Sequence, residues 1–143
     1  MSKRVSPPTT APSVLIVDDD LDLTDLLSQL LVRKGMRPVT AANGKQCLEF
    51  VQHHPAIDVI VLDITMPEMD GLQACAVLKQ REKTREIPII LLTAKDDASV
   101  RHASATLGVA EFLMKPVSGQ DLIASIRAQL ERRSHKPEGK SAL

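Results

Sequence analysis

Asp58-Val59-Ile60-Val61-Leu62-Asp63-Ile64-Thr65-Met66-Pro67-Glu68-Met69-Asp70-Gly71 is the stretch on which the fold of this chain turns. Val59 to Leu62 is an unbroken aliphatic run, rich in β-branched residues, and suits a strand covered on both faces. Asp63 falls at the C-terminal end of that strand. Pro67 and Asp70-Gly71 force a loop before a helical pattern resumes at Leu72. In open α/β sheets, ligands bind at that edge.

One aspartate after a strand is more often a helix cap or turn residue than a site residue. Three other strand ends change the balance. Val14 to Val17 runs into Asp18-Asp19-Asp20, Ile87 to Leu92 into Thr93-Ala94, and Glu111 to Met114 into Lys115-Pro116. In a parallel sheet these ends share one edge, so carboxylates, a hydroxyl and an ammonium converge. Clustered carboxylates suit a hard cation such as Mg²⁺. A carboxylate can also accept a phosphoryl group, with a metal and a lysine offsetting charge on the transferring oxygens.

The ordered set Val14-Leu15-Ile16-Val17-Asp18-Asp19-Asp20, Val61-Leu62-Asp63-Ile64-Thr65-Met66-Pro67-Glu68-Met69-Asp70-Gly71, Leu92-Thr93-Ala94 and Met114-Lys115-Pro116 resembles the receiver domains of two-component response regulators. The resemblance spans about residues 13 to 133. It implies a flavodoxin-like (βα)5 fold with strand order 2-1-3-4-5. It implies that Asp63 is the phosphoacceptor. It also implies that Mg²⁺ is bound by Asp18, Asp19, Asp63 and the backbone carbonyl of Thr65. Lys115 would pair with the acceptor carboxylate and then with the phosphoryl oxygens, and the Lys115–Pro116 bond would be cis. Thr93 matches a switch hydroxyl. Phe112 matches an aromatic switch position, though plain core packing explains it equally well. The implied donor is a phosphohistidine on a histidine kinase or phosphotransfer protein, and the implied output is altered binding to a partner. Such a module acts on its own aspartate and turns over no metabolite. It works as a monomer or as a phosphorylation-dependent dimer.

The pattern along the chain is that of one α/β domain, a doubly wound five-stranded parallel sheet with five helices. Strands are expected at about 13–17, 36–41, 59–62, 87–92 and 111–114, and helices at about 21–34, 44–54, 71–82, from a cap at Asp96 or Asp97 to 107, and 118–133. The second strand is the least apolar and belongs at a sheet edge. Residues 1–12 are rich in Pro, Ser and Thr and read as a disordered extension; 134–143 read as a disordered tail.

The chain has 143 residues, 18 basic and 18 acidic, with two Phe and no Tyr or Trp. A net charge of zero and the near absence of aromatics argue against a direct nucleic-acid or anionic-membrane partner. Cys47 and Cys75 are far apart and form no metal-binding or redox pair, so they read as buried thiols in a reducing compartment. No apolar signal segment is visible, and the protein reads as cytoplasmic. His53, His54, His102 and His135 read as surface residues.

Two alternatives stand beside the receiver reading. Asp20-Leu21-Asp22-Leu23-Thr24 spells the Asp-x-Asp-x-Thr signature of haloacid-dehalogenase-type phosphatases, although the strand ends at Val17, before it. The chain could also be a receiver cut from a larger hybrid kinase or transcription factor.

Overall fold

A computed structural model describes residues 11–54, 56–66, 69–94 and 98–134. The elements alternate as β1 (Ser13–Val17), α1 (Leu21–Arg33), β2 (Arg37–Ala41), α2 (Gly44–His53), β3 (Val59–Asp63), α3 (Gly71–Gln80), β4 (Ile89–Thr93), α4 (Ala98–Leu107), β5 (Glu111–Met114) and α5 (Gly119–Ser134). The strands form one sheet in the order β2-β1-β3-β4-β5, and every pairing is parallel. The fold is therefore the expected one, with β2 at an edge.

Strand alternation divides the core into two layers. Leu15, Val17, Ile60, Leu62, Ile89 and Leu91 face one way, onto Cys47 and Val51 of α2 and Ala74, Cys75 and Leu78 of α3. Val14, Ile16, Val59, Val61, Ile90 and Leu92 face the other way, onto Leu27 and Leu31 of α1 and Leu122, Ile123 and Ile126 of α5. Because β1, β3 and β4 are covered on both sides, their sequences read as continuous aliphatic runs. Burying each Leu or Ile contributes roughly 1.5–3 kcal/mol, so an almost non-aromatic core suffices.

Some boundaries differ from expectation. β4 starts at Ile89, two residues later than the aliphatic run suggests. The Ile87 N–H closes a turn on the Thr84 carbonyl, and Pro88, which has no N–H, offers only its carbonyl to Ile60. Ile87 is buried all the same, so the run reads as apolar before the ladder begins. α3 stops at Gln80 because Arg81 is extended. At the N-terminus, Ala11 is buried and the Pro12 carbonyl accepts from the Arg37 N–H. Pro55, Asp96, Asp97, His135 and the segments 1–10 and 135–143 lie outside the described residues. Asp20 and Asn43 cap α1 and α2 by accepting from the Leu23 and Gln46 N–H groups. Ser118 Oγ accepts from the Asp121 N–H at 3.0 Å at the start of α5. His53, His54 and His102 are exposed.

Cys47 and Cys75 are buried free thiols. Burial pushes Cys47 up to about 12 and Cys75 up to about 11. The thiolate is the reactive form. A thiol-specific reagent at pH 8 should therefore leave the folded protein unlabelled and modify both cysteines in guanidinium. Rapid native labelling would show that α2 and α3 do not shield them.

Candidate functional site

The C-terminal edge of the sheet gathers the expected side chains. β1 delivers Asp18, whose own N–H donates to the Ala41 carbonyl at the end of β2. Its Oδ1 accepts from the Asp20 N–H at 3.0 Å, which fixes the turn into α1. Asp18 and Asp63 are 1 % and 3 % exposed, so two carboxylates are removed from water side by side. Asp19 is exposed at the rim. One carboxylate oxygen from each of Asp18, Asp19 and Asp63 lies within 4.8 Å of the others.

β5 delivers Lys115. Its N–H donates to the Thr93 carbonyl at 2.7 Å, tying the ends of β4 and β5 together. The Lys115–Pro116 bond is cis. Lys115 Nζ lies 2.9 Å from Asp18 Oδ2 and 3.1 Å from Asp63 Oδ1. The sequence pointed to pairing with Asp63 alone; the ammonium in fact bridges both buried carboxylates. Burial, and then the neighbouring Asp18, push Asp63 up to about 6, although Lys115 opposes the shift. Burial alone would lower the pKa of Lys115, but its bonds to Asp18 and Asp63 outweigh that and raise it.

The remaining residues surround this cluster. Thr93 is buried at the end of β4, in register with Met114. Thr65 is exposed in the loop after β3. Phe112 is half-buried on the edge strand β5, opposite Leu91. Pro67 and Glu68 lie outside the described residues.

Gly71 has a role the sequence reading missed. Asp70-Gly71 reads as a turn, yet Asp70 is the N-cap of α3, in a reciprocal capping box with Gln73. Gly71 is the first helical residue, buried, and its N–H donates to the Ile64 carbonyl at 2.8 Å. A Cβ there would collide with the Asp63 carbonyl oxygen and lie 2.9 Å from Ile64 Cα. The glycine thus lets α3 abut the backbone of Asp63. Only its place eight residues after the strand-end aspartate could have hinted at this.

An all-oxygen, clustered carboxylate set fits Mg²⁺, which prefers hard oxygen ligands and keeps several waters. The phosphatase signature has no such setting. Asp20 is spent on capping α1, Asp22 is exposed, and the Thr24 hydroxyl donates to the Leu21 carbonyl at 3.1 Å.

Residues 14–127 match the response regulator receiver domain family, and the chain belongs to it. It is a receiver domain of the two-component response-regulator type. Among its relatives, the transcriptional regulatory protein CpxR of Escherichia coli K12 is 38 % identical over 125 residues, covering 87 % of this chain and 51 % of CpxR. The transcriptional regulatory protein AfsQ1 of Streptomyces coelicolor is 37 % identical over 121 residues, covering 85 % of this chain and 52 % of AfsQ1. The chain thus spans about half the length of these curated relatives. Among solved structures, the chemotaxis protein CheY4 of Vibrio cholerae superposes with a TM-score of 0.80 at 26 % identity, covering 85 % of this chain and 100 % of CheY4. A putative response regulator from Chloroflexus aurantiacus gives a TM-score of 0.80 at 30 % identity, covering 86 % of this chain and 100 % of its own. Among the described residues, no helix is long and apolar enough to cross a membrane.

Proposed function

We propose that Asp63 accepts a phosphoryl group from a phosphohistidine on a histidine kinase or phosphotransfer protein, in a Mg²⁺-dependent reaction in the cytoplasm. The observation that carries this reading is a buried carboxylate 3.1 Å from an ammonium inside a three-carboxylate cluster. An Asp63 oxygen attacks phosphorus; the new O–P bond forms as the donor's bond to phosphorus breaks, and the donor nitrogen leaves with its electron pair. Lys115, already at the carboxylate, follows the charge onto the phosphoryl oxygens. Asp18, Asp19 and Asp63, with the Thr65 backbone carbonyl, would hold the metal. Bound there, Mg²⁺ would neutralise charge developing on the transferring oxygens. The chain acts on its own aspartate and turns over no free substrate.

Incubation with a small acyl phosphate and Mg²⁺ should add one phosphoryl group by intact mass. The addition should be lost with EDTA and in Asp63→Asn. Full uptake by Asp63→Asn would overturn the assignment.

Thr93 and Phe112 serve as the switch. The phosphoryl group adds about two negative charges and strong acceptors, and Thr93 donates to one of them. Phe112 then turns inward, reshaping the surface of α4, β5 and α5. Thr93→Ala should still be phosphorylated but show no phosphorylation-dependent change in amide exchange over residues 98–130. A parent-like change in Thr93→Ala would remove Thr93 from the switch. Output passes through protein contacts, by a monomer or a phosphorylation-dependent dimer. The half-length coverage of CpxR and AfsQ1 favours a second setting, in which this receiver governs a separate output domain of a transcriptional regulator.

A further inference from the structure

Asn43-Gly44 reads as a turn, yet Gly44 is the first helical residue of α2 and is buried. Its φ is not positive; among the described glycines only Gly35 and Gly108 have that conformation. Backbone freedom therefore does not account for a glycine here, and glycine is among the poorest helix formers. Space accounts for it. A Cβ on Gly44 would lie 2.9 Å from the Met69 carbonyl oxygen, 3.0 Å from Met69 Cγ and 3.1 Å from Met69 Sδ. Met69, near the end of the loop that follows Asp63, thus rests with both its backbone and its side chain on the bare start of α2.

Which side yields when that contact is crowded depends on how each side is held. The start of α2 is braced: Asn43 Oδ1 accepts from the Gln46 N–H at 2.9 Å, and Gln46 Oε1 accepts from the Ala42 N–H at 2.8 Å. Further along the helix, Cys47 and Val51 are fully buried in the core. On the other side, Ile64 is tied to the sheet, its N–H donating to the Leu92 carbonyl at 2.9 Å. α3 is fixed at its start by the capping box of Asp70 and by the Gly71 N–H on the Ile64 carbonyl. Residues 65–69 lie between these two anchors. A displaced Met69 is therefore accommodated within 65–69, a segment that includes Thr65, while Asp63 stays with the sheet.

We propose that Gly44 is a positioning residue for the metal: the seat it leaves for Met69 holds the loop after β3, and with it the Thr65 carbonyl that joins Asp18, Asp19 and Asp63 around Mg²⁺. This role rests on the reading of that cluster as a Mg²⁺ site. It gives α2, which contributes no side chain to the cluster, a part in metal affinity. Gly71 acts differently, because its close contact is with the backbone of Asp63 itself.

The test titrates Mg²⁺ into the full chain with no phosphoryl donor present and reads binding by amide shift perturbation. Gly44→Ala is expected to bind Mg²⁺ about tenfold more weakly, the low end for changes to groups that orient metal ligands. Gly44→Ser adds the same Cβ and should weaken binding at least as much. Met69→Ala empties the seat without crowding it and should weaken binding severalfold. Lys45→Gly, at the exposed next residue of α2, lowers helix propensity without filling the seat, so its affinity should stay within about twofold of the parent's. With a small acyl phosphate, Gly44→Ala should need more Mg²⁺ for half-maximal phosphoryl uptake, yet reach a rate within about twofold of the parent's at saturating Mg²⁺. Parent-like affinity in Gly44→Ala or Met69→Ala, or an equal loss in Lys45→Gly, would overturn the proposal. Should Gly44→Ala fail to fold, Met69→Ala, which introduces no clash, decides. A parent chain that binds no Mg²⁺ would overturn the metal reading of the cluster together with the role of Gly44; a parent that binds it beside unaffected variants would overturn the role of Gly44 alone.

Discussion

Replacing Lys115 with methionine is expected to cost the metal-free protein about 3 kcal/mol at pH 7.5, the scale seen when one partner of a buried ion pair is removed. For a domain of this size, that lowers Tm by roughly 10 °C. The cause is specific. Lys115 bridges Asp18 and Asp63, which are 1 % and 3 % exposed, and without it two like charges face each other out of water. The Asp63 pKa, already pushed up to about 6, rises further once the ammonium is gone. A carboxyl whose folded pKa exceeds its unfolded value stabilises the fold at low pH and loses that contribution as pH climbs through the folded pKa. The deficit of Lys115→Met should therefore shrink between pH 7.5 and pH 5. Millimolar Mg²⁺ at pH 7.5 should shrink it too, since a cation that binds only the folded state shifts the equilibrium toward it. A deficit equal at both pH values and untouched by Mg²⁺ would mean that the lysine matters through packing and not through charge.

Gly71→Ala is the second large effect. Elsewhere in a helix, Ala in place of Gly gains up to about 1 kcal/mol in propensity. Here the added methyl meets backbone atoms of Asp63 and Ile64, which cannot swing aside. The net cost should be about 3 kcal/mol, at the upper end of the usual range for overpacking. Phosphoryl uptake should fall with it, because the strain is relieved by moving Asp63. Gly119→Ala provides the contrast. Its Cβ would meet only the end of the Leu30 side chain, which can rotate, so its stability should change by under about 1 kcal/mol. Equal behaviour of the two variants would show that the approach of α3 to Asp63 carries no special constraint.

The fold was legible because period and punctuation agree along the chain. Aliphatic runs alternate with helical stripes, and each run stops at a residue with chemistry: Asp18, Asp63, Thr93 or Lys115. Parallel topology then forces those ends together, so the cluster followed from strand direction alone. Three features were hidden, each for a physical reason. The start of β4 was misplaced because Ile87 is buried without pairing in the ladder. The bridging of Asp18 by Lys115 depends on distances across the sheet edge, which spacing in sequence does not encode. The constraint at Gly71 arises from α3 meeting a backbone carbonyl, and an Asp-Gly pair says turn before it says close approach.

In the proposed reaction Asp63, and neither Asp18 nor Asp19, bonds to phosphorus. All three carboxylates lie within one small volume, so a mass increase alone does not separate them. Borohydride reduces an acyl phosphate to the alcohol and so converts a phosphorylated aspartate to homoserine. The Mg²⁺-treated, phosphorylated chain should be reduced, digested and sequenced by tandem mass spectrometry. Homoserine at position 63, with unmodified aspartate at 18 and 19, is the expected result. Homoserine at 18 or 19, or at no position despite a full phosphoryl mass increase, would rule out Asp63 as the phosphoacceptor.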